Sequence, residues 1–422
     1  MAELLAIWRT TFTPLRLGKL RIYLTGQGIS LIGTWLQMTA QALLVYQLSK
    51  GSATALGIVA VAGALPVLAL SFWVGSLSDR VDRRKLLIYT QVAEMLLAFI
   101  LAFLVQSGVA QLWHVYVLAF LLGCCEAGNF PAQQAFLADV VGPEQIRTSM
   151  GLYSMIYNIS RVFGPALAGY IVGALGIALA FWLNGLSFLA VIASFLWLRD
   201  VQMTRRSVTP GQPSENPNTL AFVRANPQIR DLLLTVAFVN AFGTSIYTIA
   251  PALVAGNAAD TGLFLGAAGM GALFGIFFIL PLINHRVRRI GVVLSVALIW
   301  MGVWLFVLSR SQSLPLSLFV LFLTGFSTTV VYVLNMGLLQ VLPPPNLKGS
   351  ILGLFNVVAV GVQPVAALII GALADRFSPP TAVLMSSIVL MICGAVMIVR
   401  PWWRAWQVET VGSQAAAQHA GH

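Results

Sequence analysis

Three charged side chains fall inside long apolar stretches of this chain: Glu94, Glu126 and Arg161. A charge at mid-membrane depth costs roughly 2.5–3.5 kcal/mol on insertion scales, so it is either compensated or put to use. A buried carboxylate beside a guanidinium suits proton exchange, because burial favours the neutral acid and the cation favours the anion. Glu126 shares a helical stripe with Asn129, Phe130 and Gln133, at spacings of three, four and seven. Arg161 shares a face with Ser154, Tyr157 and Pro165. The helices that carry Glu126 and Arg161 are neighbours in sequence, so the two side chains are expected to interact. That interaction is either a titrating proton-coupling site or a fixed structural ion pair. Glu126 ranks ahead of Glu94, which lies nearer a helix end with fewer polar companions.

Polar stripes accompany these charges. Gln27, Ser30, Thr34, Gln37 and Gln41 recur at helical spacing, as do Asn240, Thr244, Tyr247 and Pro251. Lipid disfavours such faces, so they should line water, substrate or another helix. Trp35, Phe130, Tyr157, Tyr247 and Tyr332 supply aromatic walls for an apolar or aromatic ligand. Hydrogen bonding between helices is the simpler account of some of these residues.

The elements that must position them are membrane helices. Hydrophobic residues make up 59% of the 422 and charged residues 9%, which excludes a soluble enzyme. At roughly 20 residues per span, the length allows about a dozen helices. Apolar runs predict spans at 21–48, 54–77, 86–106, 112–137, 148–174, 178–198, 232–255, 261–283, 290–308, 314–342, 350–373 and 380–400. The expected fold is thus an all-α membrane protein with 12 transmembrane helices in two six-helix, pseudo-symmetric bundles. Residues 1–198 form the first bundle and 232–401 the second. A cytoplasmic linker, 199–231, contains the flexible, Pro-rich residues 209–217 and then a short surface helix from Leu220 to Pro227. Residues 402–422 form a tail, opened by the interfacial anchor Trp402, Trp403 and Trp406.

Charge fixes the orientation. Of the 24 Lys and Arg residues, twenty fall in segments that are cytoplasmic if the N-terminus is inside, three in outer loops and one, Arg161, within a span. Both termini are therefore expected in the cytoplasm. The net charge of +11 is spread over short loops and forms no single patch, so nucleic acid is not an expected partner. Three cysteines and four histidines show no disulfide framework or metal-ligand spacing, and no G-x4-G-K-[ST] loop occurs. No cofactor or metal is expected. Residues 1–19 are basic without a cleavage signature and are expected to be retained as a cytoplasmic tail.

A worn internal repeat connects the two halves. His285-Arg286-Val287-Arg288-Arg289 follows Asp79-Arg80-Val81-Asp82-Arg83 by 206 positions. Gly123 matches Gly325, and Gly151-Leu152-Tyr153 matches Gly353-Leu354-Phe355, both at an offset of 202. Two related halves are what a rocker-switch transporter needs.

The loop from Gly75 through Asp79, Arg80, Arg83 and Arg84 to Lys85 resembles the loop between the second and third helices of the major facilitator superfamily of secondary transporters. Three further stretches are similar to the branch that includes macrolide-efflux proteins and the enterobactin exporter. They are Asn129 to Val141, Asn158 to Gly169, and Phe181 to Phe188, with the linker Phe222 to Arg230 fitting as well. The resemblance implies a conformational latch built from Gly75, Asp79, Arg80, Arg83 and Arg84. Within it, Asp139 at the end of the fourth helix pairs with a loop arginine and locks the outward-facing state. Gly164, Pro165 and Gly169, with Ser160 and Ala168 at two glycine positions, resemble the fifth-helix hinge of drug and metabolite antiporters. The arginine that many proton antiporters carry in the fourth helix is missing, with Ala119 near its place, which leaves Arg161 as the substitute. His285 stands where Asp79 would in the second half, so the second latch is expected to be degenerate.

The function implied is proton-coupled export of amphipathic small molecules such as a drug, siderophore or similar metabolite, by a monomer in the inner membrane of a bacterium. Its partners are a small-molecule substrate, protons and the bilayer. The alternatives are a metabolite importer, symporter or facilitator, and a lipid transporter between leaflets.

Overall fold

The computed structural model describes residues 13–78, 82–201, 219–283 and 290–400. Within them the chain is helical, and no strand is present among the described residues. The helices are α1 (Gly18–Leu48), α2 (Ala53–Ser78), α3 (Arg83–Gln106), α4 (Leu112–Val141), α5 (Ile146–Leu175), α6 (Ile177–Trp197), α7 (Pro227–Leu253), α8 (Ala258–Ile283), α9 (Ile290–Arg310), α10 (Leu314–Val341), α11 (Pro345–Arg376) and α12 (Pro379–Val399). Eleven of them are long and apolar enough to cross a membrane. The exception is α5, long but diluted by Arg147, Asn158, Arg161 and several serines and tyrosines. Apolarity alone therefore does not qualify the helix that carries Arg161.

Local chemistry sets the helix ends. Asp82 caps α3, accepting from the N–H groups of Arg84 at 3.0 Å and Lys85 at 3.3 Å, which satisfies two of the donors that a helix start leaves free. Ser378 caps α12 ahead of the Pro379–Pro380 pair, whose missing N–H groups fall where none is needed. The linker helix expected from Leu220 to Pro227 runs from Thr219 to Ala225. Helix α7 differs from its expected form. It starts five residues earlier, at Pro227, and it is broken by a π turn at Val239–Gly243 and a 3-10 stretch at Thr244–Ile249. Hydroxyls compete for the backbone there, since Ser245 donates to the carbonyl of Asn240 at 2.6 Å and also to that of Ala241. A run of Thr, Ser and a β-branched neighbour hides such a break from a reading of periodicity.

The described chain forms two compact units. The first gathers α1 to α6 together with Thr248–Gly266 and Ala367–Asp375; the second holds the remainder of α7 to α12. In the first, α1 packs on α5 and α6, α3 on α4 and α6, and α2 on α4. Two apolar cores fill it. One centres on Tyr23, Phe136 and Phe195, whose rings meet at 5.1 to 6.2 Å, and the other on Leu43, Leu56, Leu101 and Phe181. In the second unit α9 packs on α12 and α10.

The repeat seen in the sequence has a structural counterpart. A Cβ on Gly123 of α4 would run into the carbonyl oxygen of Gly63 on α2. A Cβ on Gly325 of α10 would run into that of Ala268 on α8. Each glycine lets the fourth helix of its half touch the second backbone to backbone.

Candidate functional site

The polar interior of the first unit is built across α3 and α4. Glu94 is 2% exposed and accepts hydrogen bonds from Gln91 Nε2 at 2.9 Å and from Asn129 Nδ2. Thr90 Oγ1 donates to Asn129 Oδ1 at 2.7 Å, so the amide is held from both ends. Thr90, Gln91 and Glu94 lie within one turn of α3, and Asn129 reaches them from α4. Glu94 thus has polar companions that are not expected for it from the sequence. The signal was available in the Gln91–Glu94 spacing of three, which places both on one face.

Glu126 lies on α4 three residues before Asn129, and its side chain is exposed. Arg161 does not meet it: no ion pair between them is present among the described residues. Arg161 instead lies over the Trp35 ring, 5.9 Å from its centroid, and Tyr157 packs edge-on to the same ring at 5.8 Å. The reason is the α5–α1 packing. A Cβ on Gly164 would run into Trp35 Cβ, so α5 lies hard against α1, and the side chains one turn before Gly164 fall beside the indole.

The other first-unit residues divide between structure and cavity. Gln37 accepts from Asn184 Nδ2 at 2.8 Å, joining α1 to α6, and Thr34 bonds the carbonyl of Ser30 at 3.0 Å. Gln27 is 2% exposed and its Nε2 has no partner among the described residues. Gln41 is half-buried. Gln133 accepts from Tyr153 Oη at 3.0 Å at a small crevice that Tyr23 and Met150 also line. The side chain of Phe130 lies outside the described residues.

In the second unit the expected residues make neutral hydrogen bonds near the break in α7. Asn240 Oδ1 accepts from Tyr332 Oη at 2.7 Å and from Thr244 Oγ1 at 3.2 Å. Tyr247 Oη pairs with Thr324 Oγ1 at 3.2 Å, and Phe355 meets the Tyr332 ring edge-on at 6.1 Å. Asn240 itself is 2% exposed. Irregular backbone at membrane depth is tolerated where it lines a cavity or is buried in protein, and here the Thr244 and Ser245 hydroxyls of α7 itself donate to its carbonyls.

The latch residues are described in part. Arg83 Nη1 lies 3.3 Å from Asp139 Oδ2, both side chains under 10% exposed. Arg84 takes another role, donating to the carbonyls of Arg199 at 2.6 Å and Val201 at 2.7 Å, where it closes the C-terminal end of α6. Asp79, Arg80 and the second-half loop 285–289 lie outside the described residues, as do the surroundings of Gly75 on α2. The hinge glycines pack as separators. Gly169 would strike the carbonyl of Ala258 with a Cβ, and Gly262 of α8 would strike that of Pro165. No cluster of three or more metal-ligating side chains occurs among the described residues.

The sequence model of a family described as "Transmembrane secretion effector" (MFS_3) matches residues 9–418. The multidrug efflux pump Tap of Mycolicibacterium fortuitum is 24% identical over 87% of this chain and 92% of its own. The enterobactin exporter EntS of Salmonella typhimurium is 25% identical over 77% and 78%. Macrolide efflux protein A of Streptococcus pyogenes is 25% identical over 90% and 95%. Among solved structures the nucleoside transporter NupG shares the fold, with a TM-score of 0.73 over 91% of this chain and 100% of that one at 9% identity.

Proposed function

The chain belongs to the transmembrane secretion effector family of major facilitators, multi-pass membrane transporters and not enzymes, and from that premise we propose that it exports amphipathic small molecules in exchange for protons. The export direction is supported by relatives named for efflux of drugs, a macrolide and enterobactin. In this reading the chain has twelve spans, with both termini inside the inner membrane of a bacterium. It works as a monomer by alternating access of two six-helix halves.

The observation that carries the proton coupling is the arrangement around Asn129. Glu94 is sealed and bonded to its amide, while Glu126 stands exposed one turn earlier on the same helix. An exposed carboxylate in the middle of a span is best placed facing water or a polar substrate. Protonating one oxygen of Glu94 would weaken one of two acceptor contacts, Asn129 Nδ2 on Oε1 or Gln91 Nε2 on Oε2, so its charge state is tied to the α3–α4 contact. A proton or a cationic substrate at Glu126 would be felt by this network. Arg161, held over Trp35, adds a fixed positive charge to the α1–α5 face. The neutral side chains of Asn240, Thr244, Tyr247 and Tyr332 supply hydrogen-bonding and aromatic contacts, which suit amphipathic ligands better than strongly charged ones. The latch of Arg83 and Asp139, with Gly75, Asp79, Arg80 and Arg84 as the remaining family positions, serves to hold one conformation.

Everted membrane vesicles energised to an acid interior provide the test. Dyes, antibiotics and siderophores are screened for substrate-dependent proton release from the lumen. Release that disappears in Glu94→Gln supports antiport, and a compound that accumulates with no proton movement removes it.

A further inference from the structure

Helix α2 opens without an acidic residue of its own in its first turn. The acid that covers its start lies 321 to 323 residues further on, in the last turn of α11. Asp375 Oδ1 accepts from the N–H of Ala53 at 2.6 Å, and Oδ2 accepts from the N–H of Thr54 at 2.9 Å. Ser52 Oγ donates to the same Oδ2 at 2.6 Å and accepts from the N–H of Ala55 at 3.3 Å. The first three free donors of α2 are thus satisfied by one carboxylate and the hydroxyl it orients, at the positive end of the helix dipole.

The backbones beneath this cap are packed to the same purpose. A Cβ on Gly57 would run into the backbone of Leu368, and a Cβ on Gly371 into the carbonyl oxygen of Ala53. Each helix supplies a glycine where any side chain would push the other away. By sequence α11 belongs to the second half of the chain, yet its final turns, Ala367–Asp375, lie in the first compact unit.

We propose that Asp375 and the start of α2 form a releasable latch at the outer face, closed in one state of the transport cycle and opened in the other. This rests on the alternating-access reading above. The chemistry favours release at this position. Asp375 is exposed and Ser52 half-buried, so water can take over every hydrogen bond when the helices part. The Asp231–Arg400 pair at 2.6 Å is different in kind, because Asp231 is fully buried and separation would strand its charge. By the charge-derived orientation the turn at Ser52 is outside, opposite the loop that carries Arg83. The two contacts therefore lie at opposite ends of the expected spans.

The test uses the full chain with Cys124, Cys125 and Cys393 replaced by alanine. Ala55→Cys reports opening, because Ala55 is 4% exposed beneath the cap. Intact cells are treated with a membrane-impermeant maleimide. Asp375→Asn and Gly371→Leu should each label roughly tenfold faster than the parent, while Asp375→Glu stays near it. Independently, Ser52→Cys combined with Asp375→Cys should lose transport of a fluorescent dye on oxidation and recover it on reduction. Unchanged labelling in Asp375→Asn, or full transport by the oxidised double variant, overturns the latch. Faster labelling in a protein that moves no compound at all would support the latch and remove the export reading.

Discussion

The two compact units handle charge in opposite ways. In the first, Glu94, Glu126 and Arg161 lie within helices: Glu94 is bonded to the Gln91 and Asn129 amides, Arg161 lies over the Trp35 ring, and Glu126 is exposed. In the second, the described ionisable groups near the helices sit at their ends, as Asp231, Arg230 and Arg400 do, and the hydrogen bonds at mid-helix are made by amide and hydroxyl groups. Charge at a helix end is structural cement; charge held mid-span by neutral partners retains the freedom to change protonation. In the proposed function, coupling would belong to the first unit and recognition without charge to the second.

The largest expected effect follows from removing the sealed carboxylate. Glu94→Gln keeps the shape but replaces an acceptor with a competing amide, and pH-driven transport should fall at least about a hundredfold, or roughly 2.7 kcal/mol of coupling at 1.36 kcal/mol per decade. Dye accumulation at fixed substrate concentration reads this directly. Arg400→Ala is the matching break in the second unit. It leaves buried Asp231 with Arg230 alone at 3.4 Å and should cost about 3 kcal/mol of stability, seen as a lower thermal midpoint in detergent. Proton coupling in the protein that still folds should be unchanged.

The structural equivalence of the halves can be sharpened with Gly123→Val and Gly325→Val. Both side chains would meet a backbone oxygen, so both should destabilise by roughly 1–3 kcal/mol and by similar amounts. Unequal losses would show that the repeat is only geometric. Smaller again is Tyr332→Phe, which removes the hydroxyl bonded to Asn240. It should raise the KM of transport several-fold, about 1 kcal/mol, with coupling intact. The least is Trp35→Leu, which should lower transport by about 0.5–1 kcal/mol through loss of the surface under Arg161.

Much of this was legible in the chain. Runs of apolar residues located the helices, and the loop motif anticipated the Arg83–Asp139 pair because one arginine and one helix-end aspartate are local features of a pattern. The stripe of Asn240, Thr244 and Tyr247 does face another helix, with Asn240 bonded to Tyr332 and Tyr247 to Thr324 on α10. Other features depend on tertiary placement that periodicity does not carry. Arg161 was expected at Glu126, but Gly164 brings α5 against Trp35 and turns the guanidinium to an indole. Arg84 reads as one member of a basic cluster until the end of α6 is in place beside it. Asp375 looks like an ordinary charge at a helix end, since nothing within hundreds of residues hints that it caps α2. The break in α7 was hidden because the competing hydroxyls also fit a polar helical face.

The most direct measurement separates substrate binding from proton coupling in reconstituted liposomes. Wild type and Glu94→Gln are compared for substrate counterflow without a pH gradient and for uptake driven by one. The account predicts that Glu94→Gln retains counterflow at near wild-type rate and loses gradient-driven uptake. Gradient-driven uptake that persists in Glu94→Gln would contradict it, and would leave the carboxylate as a structural acceptor between α3 and α4.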